Sequence, residues 1–397
     1  MEKYIMVACD VHDETLVLKI AEGRSKARRR TVENTRLGRE EMTRFLQERA
    51  DISGGAKVVL AYEASCQGFG LYDQMRAAGF DCHVLAPTKI ARSSQHRRRK
   101  TDARDADRLL EILRGHVLAG NALPSVWVPD IETREDREVV RSRMDVSEKV
   151  ACVKTQVRTL LKRNGQRRPQ GLTTIWTRAF EAWLRGLTGP KGTLSHGARV
   201  ALGSLLRQKA ALEEEIARLD AEVEALAQTV RYAEPARSLL AVKGVGLLTA
   251  MLFLTEMGDL SRFPGRKQVG AYLGLVPSSD ESGPEADRKG HITHQGPWRV
   301  RRALCQATWA RVRTDPDEKL VYERIVGKNP KHKKIAVVAA MRRLAVRLWH
   351  IGGEAQRRHN FLPTWRRESN GKNDGYGLLP RERSDAPCAP VRNDDAA

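Results

Sequence analysis

The sequence has few aromatic residues, no paired cysteines and no long apolar run. Aromatic residues make up 5% of the 397 residues, which argues against a partner held by base-stacking platforms. The six cysteines are scattered, without a Cys-x-x-Cys pair, so neither a disulfide framework nor a zinc ribbon is indicated. The longest apolar run, Leu247–Leu254, is far shorter than the ~20 residues of a membrane-spanning helix. With no signal-peptide pattern, the sequence predicts a soluble, cytoplasmic protein.

Acidic residues are also in deficit. There are 70 lysine and arginine residues against 49 aspartate and glutamate residues, a formal net charge of +21. Such an excess predicts a polyanionic partner bound mainly through its phosphates, although a basic protein that is merely soluble would show the same composition. A hydrophobic content of 41% over this length allows two or three domains with real cores and excludes wholesale disorder.

The first part of the chain alternates short β-like runs with helical stretches. Residues 3–20 contain two β-like runs around a polar turn, which predicts a hairpin. The following predicted elements are a helix around Arg39–Glu48, a strand Lys57–Tyr62, a helix Tyr72–Ala78, a strand Cys82–Leu85, a helix Asp102–Arg114 and a strand Ser125–Val128. This alternation predicts an α/β domain over residues 1–129.

The middle of the chain carries apolar residues at spacings of three and four. They are Val139, Val146, Val150, Val153, Val157 and Leu160, and then Leu205, Leu212, Ile216, Leu219, Val223 and Leu226, where the first spacing of each set is seven, the sum of three and four. This pattern predicts two long helices with coiled-coil seams, used for packing or oligomerisation, over residues 130–232. The Gly-, Pro- and Arg-rich segments Asn164–Gly171 and Gly186–Gly192 predict an elaborated tip on a helical hairpin.

The third region, residues 233–355, is predicted to be a small, mainly α domain. Helical Pro235–Val242 and apolar Leu247–Glu256 flank a Lys-Gly-Val-Gly turn, as in a helix-hairpin-helix module that binds a DNA backbone. A tight turn without a ligand is equally compatible with this pattern. A polar loop, Ser278–His291, precedes helices through Arg299–Val312 and Ile335–Leu348, and residues 366–397 have the composition of a disordered tail.

Four carboxylates in the first domain are candidate metal ligands. Asp10 ends a predicted strand, Glu63 follows another, and Asp102 and Asp105 share one face of a helix. An oxygen-only cluster suits Mg²⁺ or Mn²⁺, and two such ions can stabilise both the attacking and the leaving oxygen of a phosphodiester. Ordinary surface carboxylates, or a helix-dipole role for Asp102, are the competing interpretations.

Taken together, these residues resemble the DEDD transposases of insertion-sequence family 110. Asp10 and Glu63 match the first two carboxylates, and Lys100–Ala106 matches the Lys-Thr-Asp-x-x-Asp-Ala signature. Val242–Gly246, Ala250–Asp259, Arg262-Phe263, Ala271–Pro277, Ser282-Gly283 and Gly290–Arg301 follow in the order of the family's C-terminal transposase domain. The resemblance covers nearly the whole chain except the tail.

The resemblance implies a RuvC-like (ribonuclease H fold) domain, a coiled-coil connection and a helical domain with a nucleophilic serine, Ser282. It also implies recombination guided by a structured noncoding bridge RNA, double-stranded DNA at the target and element ends as substrate, and two Mg²⁺ or Mn²⁺ ions at Asp10, Glu63, Asp102 and Asp105. Ser278 and Ser279 compete with Ser282 as nucleophiles. The loop around Ser282 is acidic, so a phosphate there needs cations, and a bare serine hydroxyl is a weak nucleophile that needs a base or a metal. We therefore expect this loop to dock against the metal site.

The chain departs from the family at two places. His12 and Asp13 replace the usual Ser and Lys, a change expected to matter little, and His294 and Pro297 replace the usual Lys and Asn, which removes a phosphate contact that Arg299, Arg301 and Arg302 are candidates to replace. The full set of residues predicted to bind nucleic acid is Arg92, Arg97, Arg98, Arg99, Lys100, Lys162, Arg163, Lys243, Gly244, Gly246, Arg299, Arg301, Arg302, Lys331, Lys333 and Lys334.

The sequence therefore predicts a transposase that cuts and rejoins DNA as a homo-oligomer, a dimer or tetramer, in a bacterial cytoplasm, associated with the nucleoid when active. The sequence is also compatible with two alternatives. One is a RuvC-like nuclease or junction resolvase that uses metal-activated water, and the other is a non-catalytic, basic architectural protein that binds nucleic acid.

Overall fold

The structure is a computed structural model and describes residues 3–90, 102–190, 192–279 and 289–358; of residues 102–105, 279 and 289 it describes the backbone alone. The predicted tail, 366–397, lies outside these ranges. The chain packs into two units, one ending at Pro129 and the other beginning at Asp130.

A five-stranded mixed sheet forms the centre of the first unit. Its strands are β1 (Tyr4–Val11), β2 (Thr15–Glu22), β3 (Arg28–Glu33), β4 (Lys57–Glu63) and β5 (Asp81–Leu85). The order is β3-β2-β1-β4-β5. Strand β2 pairs antiparallel with both β1 and β3, and β4 pairs parallel with both β1 and β5. The predicted hairpin and the strands predicted at Lys57–Tyr62 and Cys82–Leu85 are confirmed.

Three helices cover the two faces of this sheet. They are α1 (Arg36–Ile52), α2 (Gly70–Ala77) and α3 (Asp102–Ala119). Met42 and Leu46 of α1 pack with β1 residues Ile5, Val7 and Cys9 on one face. On the other face, Leu109, Leu110 and Leu113 of α3 pack with Met6 and Ala8. Because both faces are covered, β1 reads as a continuous apolar run rather than an alternating one. This mixed α/β sheet fits the ribonuclease H-like domain that the family resemblance implies.

Two segments of this unit differ from what their sequence predicts. Residues 125–128 do not form a strand; Ser125 alone makes a bridge, to Leu85. Pro124 and Pro129 bracket this segment and lack the N–H groups that a longer ladder needs. Conversely, the arginine-rich β3 was not predicted, because its composition lacks the apolar alternation of a half-buried strand.

The second unit is mainly helical. Its helices are α4 (Ile131–Arg163), α5 (Arg178–Thr188), α6 (His196–Gln228), α7 (Ala233–Leu240), α8 (Leu247–Met257), α9 (Arg266–Tyr272), α10 (Trp298–Thr314), α11 (Pro316–Val326) and α12 (Lys333–Arg358). Two short strands, β6 (Pro277–Ser279) and β7 (Lys289–Ile292), pair antiparallel at the two ends of the segment predicted as a polar loop. The two predicted long helices are confirmed as α4 and α6, which begin at the side-chain caps Asp130 and Ser195.

The core of the second unit surrounds α8, whose residues from Ala250 to Met257 are all buried. Apolar side chains of α4, α6, α7, α10 and α12 complete this core. Buried polar groups join α4 to α8, because Arg137 donates from Nε to the carbonyl oxygen of Thr255 at 2.7 Å and Arg141 holds the buried Glu256 carboxylate at 2.6 and 2.9 Å. In the part of the chain that the structure describes, no helix is long and apolar enough to span a membrane.

Candidate functional site

Two of the four predicted metal ligands lie side by side at the carboxyl end of the sheet. Cys9 of β1 is level with Tyr62 of β4 in the parallel register, so the next residues, Asp10 and Glu63, are neighbours on adjacent strands, about 4.8 Å apart in the backbone. Side chains alternate along a strand, so both point to the face of Ala8 and Ala61, which α3 covers. Asp10 and Glu63 are both half-buried.

Helix α3 runs antiparallel to β1, with its N-terminal end toward this pair. Asp107 of α3 contacts Lys19, which is level with Ala8, at 2.9 Å. Farther along α3, Arg114 donates to the carbonyl oxygen of Ser25, which lies just beyond the end of β2 that adjoins the start of β1. Followed from Arg114 back to Asp102, the helix therefore runs from the start of β1 toward the end of β1. Asp102 precedes Asp107 by five residues, which is about 7.5 Å along the helix. Asp10 follows Ala8 by two residues, which is a similar distance, about 6.6 Å, along the strand.

The backbone thus directs the positions of Asp102 and Asp105 toward the edge that carries Asp10 and Glu63. The side chains of Asp102 and Asp105 lie outside the described residues, as do all atoms of the basic residues Arg92 and Arg97–Lys100 that precede them. Among the side chains that the structure does describe, no three His, Cys, Asp or Glu residues are grouped so as to hold a metal ion. Two adjacent, half-buried carboxylates at a strand end nevertheless form a donor set that suits Mg²⁺ or Mn²⁺.

His12, one of the two departures from the family after the first carboxylate, contacts Asp10. Its Nε2 lies 3.2 Å from Oδ2 of Asp10, whose side chain is 23% exposed. The adjoining turn is held by Asn34, which donates from Nδ2 to the His12 carbonyl oxygen at 2.6 Å and to Oε1 of Gln67 at 2.8 Å. A signal was available in the sequence, because a residue two positions after Asp10 is set to lie on the same side of an extended chain.

In the second unit, the structure describes the hydroxyl of one of the three candidate nucleophiles, Ser278. The Ser278 hydroxyl donates to the carbonyl oxygen of His291 at 3.0 Å, across the β6–β7 pair. A Cβ added at Gly290 would lie 2.4 Å from the Ser278 Oγ, so the hydroxyl is also closely packed. Ser282 and the side chain of Ser279 lie outside the described residues.

Two glycines of the motifs around this serine segment hold its base together. Gly274 and Gly296 both have positive φ, of 62° and 72°. A Cβ on Gly274 would lie 2.3 Å from the Gln295 carbonyl oxygen, and one on Gly296 would lie 1.8 Å from that of Tyr272. Since real Cβ atoms do not approach backbone so closely, both positions require glycine for packing as well as for conformation.

The Lys-Gly-Val-Gly turn joins α7 to α8 and packs against α10. Gly244 has a φ of 79°, and a Cβ there would lie 2.9 Å from the Ala307 carbonyl oxygen. Arg311 donates to the Lys243 carbonyl oxygen at 3.1 Å. Gly246, at the start of α8, has open space beside it, and Lys243 is exposed. Gly244 therefore serves the packing of the turn, while the N-terminal end of α8 remains accessible to an anion.

The other residues predicted to bind nucleic acid divide into two groups. Lys162, Arg163, Lys331, Lys333 and Lys334 are exposed. By contrast, the three arginines at the start of α10 have partners within the second unit. Arg299 pairs with Asp145 at 2.8 Å, Arg302 pairs with Glu148, and Arg301 donates to the carbonyl oxygens of Leu273, Gln295 and Gly296. A phosphate contact by these arginines would have to replace those bonds.

Comparison with known proteins identifies the family of this chain. Residues 236–323 match the family model described as "Transposase IS116/IS110/IS902 family", and residues 7–164 match the DEDD transposase model of the IS110 group. Three relatives are similar in sequence. A putative transposase of Sinorhizobium fredii is 34% identical over 252 residues, 64% of this chain and 58% of the relative. A second one from that organism is 28% identical over 364 residues, 88% of this chain and 85% of the relative. The transposase for insertion sequence element IS1533 of Leptospira borgpetersenii is 23% identical over 313 residues, 78% of this chain and 86% of the relative.

The matched region thus spans little more than half the length of the first of these relatives. The two family models cover the strands that carry Asp10 and Glu63 and the helical region that carries the glycine turns. Motif order, fold and sequence similarity agree: the chain belongs to the IS110 family of DEDD transposases.

Proposed function

We propose that this protein is the transposase of an insertion sequence and that it cleaves and rejoins DNA strands. The observation that carries the proposal is the placement of Asp10 beside Glu63 at a strand edge toward which α3 directs the positions of Asp102 and Asp105. Adjacent carboxylates repel each other without a cation between them, so an arrangement that gathers them is typical of a metal site rather than of a stabilising surface.

The four carboxylates would hold one or two Mg²⁺ or Mn²⁺ ions. Such ions supply Lewis-acid stabilisation of the charge that develops on phosphodiester oxygens during in-line displacement. The chain's own contribution is to fix the donors, since Asp10 and Glu63 are set by the β1–β4 register and Asp10 is further contacted by His12 at 3.2 Å. Rigid strands position such donors more accurately than loops do.

Ser282 is the proposed nucleophile. Its Oγ would form a bond to phosphorus while the bond from phosphorus to the leaving strand's oxygen breaks, and the serine proton would pass to solvent or to a nearby base. The phosphoserine link conserves the phosphodiester energy, so the strand is rejoined when a DNA hydroxyl displaces the serine. The engaged hydroxyl of Ser278 favours Ser282 over that competitor, because Ser278 would first have to break its bond to His291.

The proposed partners are double-stranded DNA of the target and element ends and a structured noncoding RNA that guides the reaction. Exposed cations at Lys162, Arg163 and Lys331–Lys334, and the open N-terminal end of α8 at Gly246, are the proposed contacts in the second unit. The helix-hairpin-helix role of the turn and a coiled-coil connection made by α4 and α6, which would support a homo-oligomer in the cytoplasm, are part of the same proposal.

A suicide DNA substrate tests the proposal. A nick placed next to the scissile phosphate lets the leaving fragment diffuse away, so a covalent protein–DNA adduct accumulates and is measured by denaturing gel electrophoresis. We expect an adduct with Mg²⁺ for the unaltered chain and for the matched control Ser279→Ala, and none for Ser282→Ala or Asp102→Asn. Cleavage that persists in Ser282→Ala with free DNA ends would instead support a RuvC-like nuclease that uses water. DNA binding without cleavage, unchanged in Asp102→Asn, would support a non-catalytic architectural protein.

A further inference from the structure

A basic cavity lies at the edge of the sheet in the first unit. It is lined by Lys26, Arg28, Arg29, Arg30 and Arg49 and has a volume of about 720 Å³. Four of these five cations come from one short basic run of the sequence, residues 24–30. The volume falls within the range of sites that hold small ligands.

The fold explains how these cations converge. Strand β3 is the edge strand of the sheet, paired with β2 alone. Along it, Arg28, Arg30 and Val32 share one face, and Val32 is buried with Met42 of α1. Arg28 and Arg30 therefore follow each other on the α1 side of the strand, about 6.6 Å apart in the backbone.

The ring of Phe45 lies close to two of the guanidinium groups. Arg30 lies over Phe45 of α1 with its Cζ 4.0 Å from the ring centroid, and the Cζ of Arg49 lies 5.7 Å from the same ring. A guanidinium that stacks through its planar face keeps its N–H groups at the rim of that plane, where they can donate to an anion. The cavity thus presents donors that are already partly ordered.

The negative charge inside the cavity is too small to neutralise these cations. Glu22 supplies the carboxylate of the lining, and it is shared between Arg49 at 3.6 Å and the hydroxyl of Ser53 at 3.4 Å. Among the described residues, no ion pair involves Lys26, Arg28 or Arg29, and all three are exposed. Like charges held together repel, so a polyanion in this cavity would relieve an unfavourable interaction.

We propose that this cavity binds the sugar-phosphate backbone of a single-stranded nucleic-acid segment. Arginine groups repeated along an extended strand suit the successive phosphates of an extended nucleotide chain, because each guanidinium can hold a phosphate through two hydrogen bonds. A concave site with cations on one short strand favours such a segment over a duplex, whose phosphates lie on the outside of a wide rod.

The cavity and the carboxylate pair lie on opposite faces of the sheet. Arg28 pairs with Ile20, and Ile20 pairs with Val7 of β1, so Arg28 is two strands away from Val7 at the same level of the sheet. Val7 precedes Asp10 by three residues, and the strand spacings then put the Cα atoms of Arg28 and Asp10 roughly 14 Å apart. The cavity lies on the α1 side and Asp10 points to the α3 side. A strand held in the cavity is therefore anchored without entering the metal site, and binding there does not depend on the proposed cleavage.

Fluorescence anisotropy on the full chain tests this inference, in EDTA so that no cleavage occurs. The probes are an oligouridine, an oligodeoxythymidine of equal length and a duplex of that length, titrated over a range of salt. The variant is Lys26→Gln with Arg28→Gln, since both side chains line the cavity, both are exposed, and their loss should leave the fold intact. The matched control is Arg178→Gln with Arg207→Gln, two exposed arginines of the second unit.

For the single strands, removal of two phosphate contacts should lower the slope of log K against log salt by about 1.4, because each contact contributes about 0.7. The control pair should change it little. Weakening for oligouridine alone identifies RNA as the ligand, and equal weakening for both single strands identifies the shared backbone. Slopes that are unchanged for both single strands, or a decrease of the slope that is equally large for the duplex, would overturn the inference.

A second measurement locates the bound strand on the protein. Acetylation of lysines followed by mass spectrometry should show Lys26 protected by oligouridine or oligodeoxythymidine, while the exposed Lys149 of α4 stays reactive. Equal modification of Lys26 with and without the single strands would contradict binding in this cavity.

Discussion

The carboxylate pair of the first unit predicts that a divalent cation stabilises the fold and that Asp10→Asn abolishes this effect. Asp10 and Glu63 occupy adjacent positions on parallel strands, about 4.8 Å apart in the backbone. Without a cation the two negative charges repel. An amide at position 10 removes the repulsion and at the same time removes a ligand, so the metal-free and metal-bound proteins should respond in opposite directions.

The size of the two effects follows from the geometry. Two charges about 5 Å apart interact by about 0.8 kcal/mol in water and about 3 kcal/mol at an effective dielectric constant near 20. Because Asp10 is 23% exposed and lies 3.2 Å from His12, we expect the lower part of this range, so Asp10→Asn should stabilise the metal-free protein by about 1 kcal/mol. Mn²⁺ at a concentration of about 100 times its Kd should stabilise the unaltered protein by about 2.7 kcal/mol.

Thermal unfolding with Mn²⁺ and with EDTA measures both effects. For a unit of this size the cation should raise Tm by roughly 10 °C, and this rise should vanish in Asp10→Asn. The matched control is Asp51→Asn, which removes one exposed carboxylate at the end of α1 and should keep the full rise. A rise of unaltered size in Asp10→Asn, or no rise in the native chain, would refute the metal site.

Other substitutions and reagents test the packing of the two units. Glu256→Ala leaves two buried or half-buried arginines without their carboxylate and should lower the free energy of unfolding by about 3–5 kcal/mol in a denaturant titration. Gly296→Ala should cost about 1–3 kcal/mol in the same titration because its φ is 72° and its Cβ would strike a carbonyl oxygen, whereas Gly197→Ala, with open space around it in α6, should cost nothing; equal effects would refute the close contact. Burial raises the pKa of the Cys9 thiol, so a pulse of iodoacetamide near neutral pH should modify the exposed Cys66 and leave Cys9 intact, as read by peptide mass spectrometry; rapid modification of Cys9 in the folded protein would contradict its burial.

The elements around the metal site could be predicted from the sequence because their patterns are local. The run of β4 is apolar without interruption, which is typical of a strand covered on both faces, and Glu63 ends it. Carboxyl ends of neighbouring parallel strands meet at one edge, so Asp10 and Glu63 were predicted as partners without knowledge of the register. The register then supplied their adjacency.

Other features needed the three-dimensional structure. Strand β3 is held at the edge by its pairing to β2, and its arginines converge with Arg49 of α1, which lies far along the chain; no periodicity predicts this cavity. Likewise, the sequence around Arg299 and Arg302 indicates a basic patch, but in the structure these arginines pair with Asp145 and Glu148 of α4. Charge runs show where cations are, and tertiary contacts decide which of them are available to a ligand.

The central claim is that Ser282 carries the DNA strand during the reaction, and the position of the covalent link tests it most directly. Trypsin should release residues 268–288 as one peptide, with Ser278, Ser279 and Ser282 in it. After reaction with the suicide substrate and digestion of the DNA, fragmentation in the mass spectrometer locates the attached nucleotide. We expect the nucleotide on Ser282. A nucleotide on another residue, or an unmodified peptide from protein that has cleaved its substrate, would contradict it.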